Sequence, residues 1–255
     1  MSIGLVVPTR GDRPSYLVKA LQSAKNSGAD FVLLVCPRSF TELETFYDSK
    51  LIHGHIFESG PGAAGAIDLG IRSLPPQIKF ASWLGDDDIL EVNGLTVLAE
   101  CMKANASFSA AFGRCLFINE DGSTFGRSSL GSVASPLLRF GPDFIPQPAS
   151  LFRVDSYKAV GGLKVNLKYA FDLDLFIELS KVGKLKHVPK QVARYRWHNQ
   201  SLSSANKLAS RIESRQVRES HLPWALRGIS FLWEVPMDLS ARFANSMDRK
   251  SRRHE

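Results

Sequence analysis

The chain has 255 residues, of which 44% are hydrophobic and 22% charged, values typical of globular proteins that exclude a disordered or fibrous chain. No apolar run approaches the roughly 20 residues of a membrane-spanning helix, so no transmembrane segment is expected. Three cysteines without CxxC spacing and a start without a basic leader predict a soluble cytosolic protein. The net charge of +7 favours a polyanionic partner, but no aromatic-rich pattern for stacking bases accompanies it, so nucleic acid is not expected.

The first half of the chain alternates apolar strands with amphipathic helices. The predicted strands are Ile3–Pro8, Phe31–Val35, His55–Phe57 and Phe80–Leu84, and the predicted helices carry Leu17–Ala24, Phe40–Tyr47 and Ala63–Arg72. This alternation predicts an α/β fold with a mostly parallel, Rossmann-like central sheet flanked by helices. In such folds ligands bind beyond the carboxyl ends of the strands. The turn Arg10–Arg13 and the acidic triplet Asp86–Asp88 are both expected there.

The second half is more mixed. It contains predicted strands at Ala110–Ile118, Ala149–Arg153 and Val192–Trp197, predicted helices at Asp155–Val160, Asp172–Val182, 203–221 and 223–235, and a long loop over 123–148. A further helix is expected to begin near Leu90, directly after the triplet. We expect one domain over 1–204, with a first half over 1–90 and a second over 91–204, followed by a basic helical extension and tail over 205–255.

The acidic triplet Asp86–Asp88 is the sharpest chemical feature. Adjacent carboxylates repel one another, and a hard divalent cation such as Mg²⁺ or Mn²⁺ compensates them while sharing its remaining positions with phosphate. A solvated turn or a helix N-cap explains the triplet equally well. Its place after a buried strand favours a metal–phosphate site.

A second acidic pair, Asp172 and Asp174, begins a predicted helix, where acids also cap free N–H groups and complement the helix dipole. His198 follows the last predicted strand, and a lone histidine is by itself weak evidence for a ligand. Neither feature alone decides between a structural and a chemical role.

Five motifs, in order from residue 3 to about 204, resemble those of family 2 glycosyltransferases with the GT-A fold. They are Pro8-Thr9 with Arg13-Pro14, Ala66-Ile-Asp68-Leu-Gly70-Ile71, Trp83-Leu-Gly-Asp-Asp-Asp-Ile-Leu90, Phe152-Arg153 through Phe171-Asp-Leu-Asp-Leu175, and Tyr195-Arg-Trp-His198 with Ser201 and Ser203. The resemblance implies a metal-dependent, inverting glycosyltransferase of hexosyl type. Such an enzyme moves a sugar from a nucleotide-sugar donor to an acceptor hydroxyl, here in surface polysaccharide or glycolipid assembly.

The resemblance also implies a role for each matching residue. Asp172 takes the place of the general base, and Asp87 with His198 would hold Mn²⁺ or Mg²⁺. The donor would be contacted by Pro8, Thr9, Arg13, Asp68, Asp86, Asp88 and Arg196. The acceptor would be a glycan or a lipid-linked glycan.

Two departures from the family pattern keep alternatives open. The resemblance favours UDP, but Cys36-Pro37-Arg38-Ser39 stands where the family carries an acid that recognises uridine, so dTDP and GDP remain options. Phe171 replaces the glutamate that usually precedes the base. A nucleotidyltransferase on a similar fold, or a member that binds nucleotide or glycan without turnover, are the alternative functions.

The C-terminal extension carries an apolar stripe at helical spacing over 222–235, within basic surroundings. The stripe packs on the domain or on a second subunit, or lies on the inner face of an anionic membrane as a peripheral contact. Both an oligomer and a peripheral membrane protein are therefore compatible with the sequence.

Overall fold

A computed structural model describes residues 2–60, 62–128, 131–138, 140, 144–198 and 206–227 of the chain. The first part of the fold alternates strands and helices as expected. Its elements are β1 (Ile3–Pro8), α1 (Pro14–Asn26), β2 (Phe31–Cys36), α2 (Leu43–Asp48), β3 (Gly54–Phe57), α3 (Ala63–Arg72) and β4 (Phe80–Trp83). These four strands are parallel and lie in the order β3-β2-β1-β4. Their near-continuous apolar runs are buried on both faces, which is why they do not alternate in polarity.

The second part contributes shorter helices and antiparallel strands. Its elements are β5 (Ile89–Leu90), α4 (Gly94–Ala104), β6 (Phe108–Ile118), β7 (Thr124–Arg127), α5 (Ala134–Leu137), β8 (Ser150–Arg153), α6 (Val154–Ala159), α7 (Phe171–Val182), β9 (Lys184–Arg196), α8 (Lys207–His221) and α9 (Trp224–Arg227). Short 3₁₀ turns lie at Gly131–Val133 and Gln147–Ala149.

One central sheet joins both parts in the order β3-β2-β1-β4-β8-β6-β9-β5, with β7 paired to β6. The pair β6–β9 is parallel, whereas β4–β8, β6–β8, β5–β9 and β6–β7 are antiparallel. Two hydrophobic clusters form the core; one contains the buried residues of α1 and α4, and the other contains those of α3 and α7. The predicted α/β fold with a central sheet flanked by helices is confirmed, and the parallel arrangement is concentrated in its first half.

Three local expectations were wrong. The chain after the triplet forms the short strand β5, paired with β9, and the next helix begins at Gly94, not near Leu90. The segment 123–148 contains β7 and short helical turns. The last strand begins at Lys184 and not at Val192, because its first half alternates lysines with half-buried residues around a proline and lacks the apolar run of a buried strand.

The C-terminal extension begins with α8, whose buried Val217 contributes to the core cluster that also contains α7. The predicted apolar stripe beyond residue 227 and the basic tail lie outside the described residues. Within the described part of the chain, no helix combines the length and the apolar composition needed to cross a membrane.

Candidate functional site

The carboxyl ends of β1 and β4 bring the acidic triplet next to the turn after β1. Because β1 and β4 are parallel neighbours, Thr9 and Asp86 leave the sheet side by side. The Thr9 hydroxyl donates to Asp86 Oδ2 over 2.6 Å and accepts from the Gly11 N–H over 3.0 Å. Pro8, the last residue of β1, leads into this turn.

Arg13 is the main cation bound to the triplet. Its Nη2 donates to Asp86 Oδ1 and its Nη1 to Asp87 Oδ2, each over 2.6 Å. Planar guanidinium groups favour such two-point contacts with carboxylates. The side chain of Arg13 is 25% exposed and that of Asp86 is 4% exposed, so the pair is mostly withdrawn from water. The Arg13 Nε is buried and makes no hydrogen bond with the described residues.

His198 completes this cluster from the end of the chain segment after β9. Its Nε2 lies 2.6 Å from Asp87 Oδ2 and 2.9 Å from Arg13 Nη1. A guanidinium only donates, so the two nitrogens are best described as donors that converge on one carboxylate oxygen. The structure thus brings together Asp87 and His198, the two residues to which the family resemblance assigns a shared metal.

Arg196 and Asp88 form the inner side of the cluster. Asp88 Oδ1 accepts the Arg196 backbone N–H over 2.8 Å. The Arg196 guanidinium donates to the carbonyls of Asp87, Asn119 and Glu120, each over 2.9 Å. It also lies 4.6 Å from the centroid of the Tyr16 ring. Because its side chain is buried and engaged with backbone carbonyls, Arg196 fixes the loops around the triplet.

The pKa values of two carboxyl groups of the triplet, Asp86 and Asp88, are raised. Burial raises the pKa of Asp86, while the hydrogen bond from Thr9 and the charge of Arg13 offset part of the increase. Burial and the neighbouring charge of Asp87 hold the pKa of Asp88 well above its usual range. The cluster therefore favours the arrival of further positive charge.

Steric crowding explains why a glycine, Gly85, precedes the triplet. A Cβ at Gly85 would lie 2.8 Å from Asp87 Oδ1 and 3.0 Å from Asp88 Oδ2. A side chain at position 85 would force the Asp87 and Asp88 carboxylates to shift from this arrangement.

Asp68 lies in a different network. Its carboxylate accepts from the Tyr157 hydroxyl over 2.6 Å, from Arg72 Nε over 2.6 Å and from the Leu163 N–H over 3.2 Å. These contacts tie α3 to the turn after α6. Among the hydrogen bonds and ion pairs of the described residues, none joins Asp68 to the acidic triplet or to Arg13.

Asp172 begins α7 and lines a cavity of about 480 Å³. The other residues of the cavity wall combine aromatic rings with short polar groups: Phe117, Arg127, Ser128, Phe144, Ile145, Pro146, Gln147, Pro148, Tyr169, Ala170, Leu173, Tyr195, Ser210 and Ser214. Asp172 Oδ1 accepts the Leu173 N–H over 2.9 Å, whereas Oδ2 accepts no hydrogen bond from the described residues. A cavity that combines apolar walls with polar groups is a usual form of a small-molecule site.

The acid–base properties of Asp172 are unusual for a carboxyl group. Burial raises its pKa from 3.8 to about 6, and the nearby charge of Glu213 adds to the increase. Phe171, which stands where the resembling family has glutamate, is 8% exposed and contacts the Trp83 ring at 6.2 Å between centroids. The Phe171 side chain therefore belongs to the hydrophobic core.

The end of β9 connects the cavity with the triplet. Tyr195 lines the cavity, and the next residue, Arg196, contacts Asp87 and Asp88. Successive side chains of a strand point to opposite faces, so one strand end can serve both features.

A second group of ligating side chains lies between α7 and α8. The ligand atoms of Asp174, Glu178 and His221 all lie within 4.8 Å of one another, so this group could hold a metal ion. Here two lysines occupy it: Lys164 Nζ lies 2.7 Å from Asp174 Oδ1, and Lys181 Nζ lies 3.0 Å from Glu178 Oε1. His221 Nε2 also lies 2.7 Å from Asp174 Oδ1. Asp174, the second acid of the predicted pair, therefore ties α7 to α8.

Sequence reasoning missed Tyr16 and Glu213. Tyr16 lies in the first turn of α1, three residues after the N-cap residue Arg13, and this nearness in sequence could have identified it. Glu213 carries no such signal, because its contacts are with backbone groups more than 40 residues away in sequence.

Solved structures share this arrangement of sheet and helices. S. aureus TarS 1–349 matches with a TM-score of 0.64 at 12% identity, over 89% of this chain and 68% of that chain. The fold is GT-A-like. The same TarS fragment in complex with UDP matches with the same TM-score, identity and coverages. A longer TarS structure matches with a TM-score of 0.62 at 13% identity, over 89% of this chain and 41% of that chain. Our chain thus spans less than half of the longer TarS chain. No family model matches the sequence, and no curated protein does. At these identities the likeness carries the fold alone.

Proposed function

We propose that the chain is a nucleotide-sugar glycosyltransferase that transfers a hexosyl group with inversion. The observation that carries the proposal is one continuous arrangement at the end of β9. It joins an Arg13-bound acidic triplet to a cavity that contains Asp172, a carboxyl group with a raised pKa. A GT-A-like fold, shared with a protein whose structure is described in complex with UDP, supports this function over nucleotidyl transfer.

The donor diphosphate would lie against the acidic triplet and the turn after β1. Arg13 is suited to contact it, because a guanidinium binds phosphate oxygens well and the Arg13 side chain stays partly exposed beside the triplet. Pro8, Thr9, Asp86 and Asp88 would shape the site, with Asp86 held in place by Thr9. UDP is the favoured nucleotide, with dTDP and GDP as alternatives.

Mn²⁺ or Mg²⁺ would be held by Asp87 and His198. The donor set fits in chemical type, since Asp87 offers the carboxylate oxygen that these ions prefer and His198 offers a ring nitrogen beside it. The 2.6 Å hydrogen bond that now joins the two side chains would open for both to bind one ion. When bound, the ion neutralises charge on the departing diphosphate. Arg13 Nη1 contacts both of these side chains and donates to Asp87 Oδ2. Arg13 would release this oxygen when the ion binds.

Asp172 would act as the general base. Its Oδ2 would take the proton of the acceptor hydroxyl as the acceptor oxygen forms a bond to the anomeric carbon. The bond between that carbon and the diphosphate oxygen would break on the opposite side, and the nucleoside diphosphate would leave. A pKa near 6 keeps Asp172 ionised at neutral pH while making it a stronger base than an ordinary carboxylate.

The cavity would bind the acceptor, a glycan or a lipid-linked glycan in surface polysaccharide or glycolipid assembly. Rings such as Phe117 and Tyr195 offer apolar surface for one face of a sugar. The hydroxyl groups of Ser128, Ser210 and Ser214 could form hydrogen bonds with the hydroxyl groups of that sugar. An enzyme with such an acceptor would work in the cytoplasm, with the extension over 222–235 as a peripheral contact to the membrane.

Release of nucleoside diphosphate from a panel of UDP-, dTDP- and GDP-sugars, with and without Mn²⁺, tests the proposal. We expect one nucleotide class to be consumed, and Asp172→Asn to slow release by about 10²–10⁴-fold. The matched control is Asp155→Asn, an exposed acid in the first turn of α6, which should stay within about two-fold of the wild type. The proposal is wrong if no donor is consumed, or if both variants lose activity equally.

A further inference from the structure

The carboxylate of Glu213, on α8, binds the segment that leads into α7. Its Oε1 accepts the backbone N–H groups of Lys168, Tyr169 and Ala170 over 3.0, 2.6 and 2.8 Å. Its Oε2 also accepts from the Lys168 N–H, over 3.1 Å. One side chain from the C-terminal extension thus binds three consecutive amides immediately before the helix that begins with Phe171 and Asp172.

The first turn of α7 has one cap of its own, since Asp172 Oδ1 accepts the Leu173 N–H. Ala170 is the N-cap residue, and no side chain of the cap position accepts a hydrogen bond there. Helices leave their first N–H groups without intrahelical partners, and a side-chain oxygen normally fills that role. From 43 residues further along the chain, Glu213 binds the N–H of the cap residue Ala170, which is two residues from Asp172, together with the two amides before it.

Helix α8 is fixed beside α7 at more than one point. At its end His221 contacts Asp174, and one turn earlier Val217 is buried. Ser210 and Ser214, one turn apart, line the same cavity as Asp172. Glu213 therefore lies on a helix that is a wall of the site.

Resting on the function proposed above, we propose that Glu213 is a positioning residue for Asp172. By binding the three amides it sets the direction in which α7 begins, and with it the place of the Asp172 carboxylate in the cavity. The C-terminal extension is then a working part of the acceptor site. Glu213 itself touches no substrate.

A crystal structure of Glu213→Ala tests the positioning role without any assay of activity. We expect the Asp172 carboxylate to move by about 1 Å relative to Tyr195, a displacement that can cost roughly 100-fold in rate. Glu213→Gln, whose amide oxygen can still accept the three N–H groups, should keep Asp172 in place. An unmoved Asp172 in Glu213→Ala refutes the proposal.

Kinetics with the donor found in the release assay provide the second measurement. In Glu213→Ala we expect kcat to fall by about 10- to 100-fold with the donor KM unchanged, and Glu213→Gln to recover most of kcat. The matched control is Glu219→Ala on the same helix, whose carboxylate binds Arg215 on the helix surface. If Glu213→Ala does not fold, Glu213→Asp takes its place, because the shorter side chain cannot reach all three amides.

The outcomes separate this inference from the function on which it rests. If Asp172→Asn turns over normally, the base is misassigned whatever Glu213 does. If Asp172→Asn is inactive while Glu213→Ala keeps the wild-type kcat, only the positioning role is wrong. An equal loss of kcat in Glu219→Ala and Glu213→Ala would also refute the positioning role. Weaker packing of α8 against the domain would then explain the loss in both variants.

Discussion

Replacing Asp172 with asparagine should make the protein more stable at neutral pH while removing its activity. The folded protein raises the Asp172 pKa from 3.8 to about 6. Ionisation is therefore harder in the folded state, and this group's stability contribution falls as pH rises from about 4 to 6. The shift corresponds to about 3 kcal/mol for a fully buried group, and partial exposure of Asp172 reduces this to about 1–2 kcal/mol.

Asparagine preserves the local structure, because its side-chain oxygen can still accept the Leu173 N–H. Urea unfolding of wild type and Asp172→Asn at pH 4.5 and 7.5 measures the effect. We expect the variant to gain about 1–2 kcal/mol at pH 7.5 and only about a third of that at pH 4.5, because pH 4.5 is still above the unfolded-state pKa of 3.8. In the wild type, kcat/KM should also fall as pH drops through about 6, since the base becomes protonated.

The result that would refute this reasoning is a stability difference that does not change with pH. It would mean that the Asp172 carboxyl titrates at its ordinary pKa and is solvated. Asp155→Asn, at an exposed position of the same type, should show no such pH dependence and controls for the general effect of removing a charge.

Three further predictions follow from the contacts. Arg13→Ala leaves the acidic triplet without its bound guanidinium; we expect a loss of about 3 kcal/mol in urea unfolding and weaker UDP binding in calorimetry. Gly162→Ala places a methyl group against the Asp68 and Arg72 side chains at φ +83°, whereas Gly161→Ala, at φ +87°, has open space. Thermal unfolding should show a loss of more than about 1 kcal/mol for the first variant beyond that of the second, with UDP affinity unchanged in both. His221→Gln disturbs the contact with Asp174, so hydrogen exchange should show faster opening of Lys207–His221 than in the wild type.

Sequence alone predicted the first half of the fold and the place of the acidic triplet. The strands there are local apolar runs that the sequence shows. Because the acidic triplet comes shortly after the end of β4, its place in the sequence also predicts its place at the ligand edge of the sheet. The first half of β9 escaped prediction because half-buried lysine-rich strands lack that signal. Glu213 escaped because its partners are backbone amides, which no residue type reveals. For Asp68, resemblance suggested the donor, whereas its observed hydrogen bonds go to Tyr157 and Arg72.

The most direct test of a donor site at the acidic triplet is the thermal unfolding of wild type and Asp87→Asn with UDP, with and without Mn²⁺. Asp155→Asn serves as the charge-matched control. UDP at about 100 times its Kd stabilises the folded protein by about 2.7 kcal/mol, or several degrees for a chain of this size. We expect that shift in wild type and Asp155→Asn when Mn²⁺ is present, and its loss in Asp87→Asn. No shift with UDP, dTDP or GDP under either metal condition, or an undiminished shift in Asp87→Asn, would contradict a donor site at the triplet.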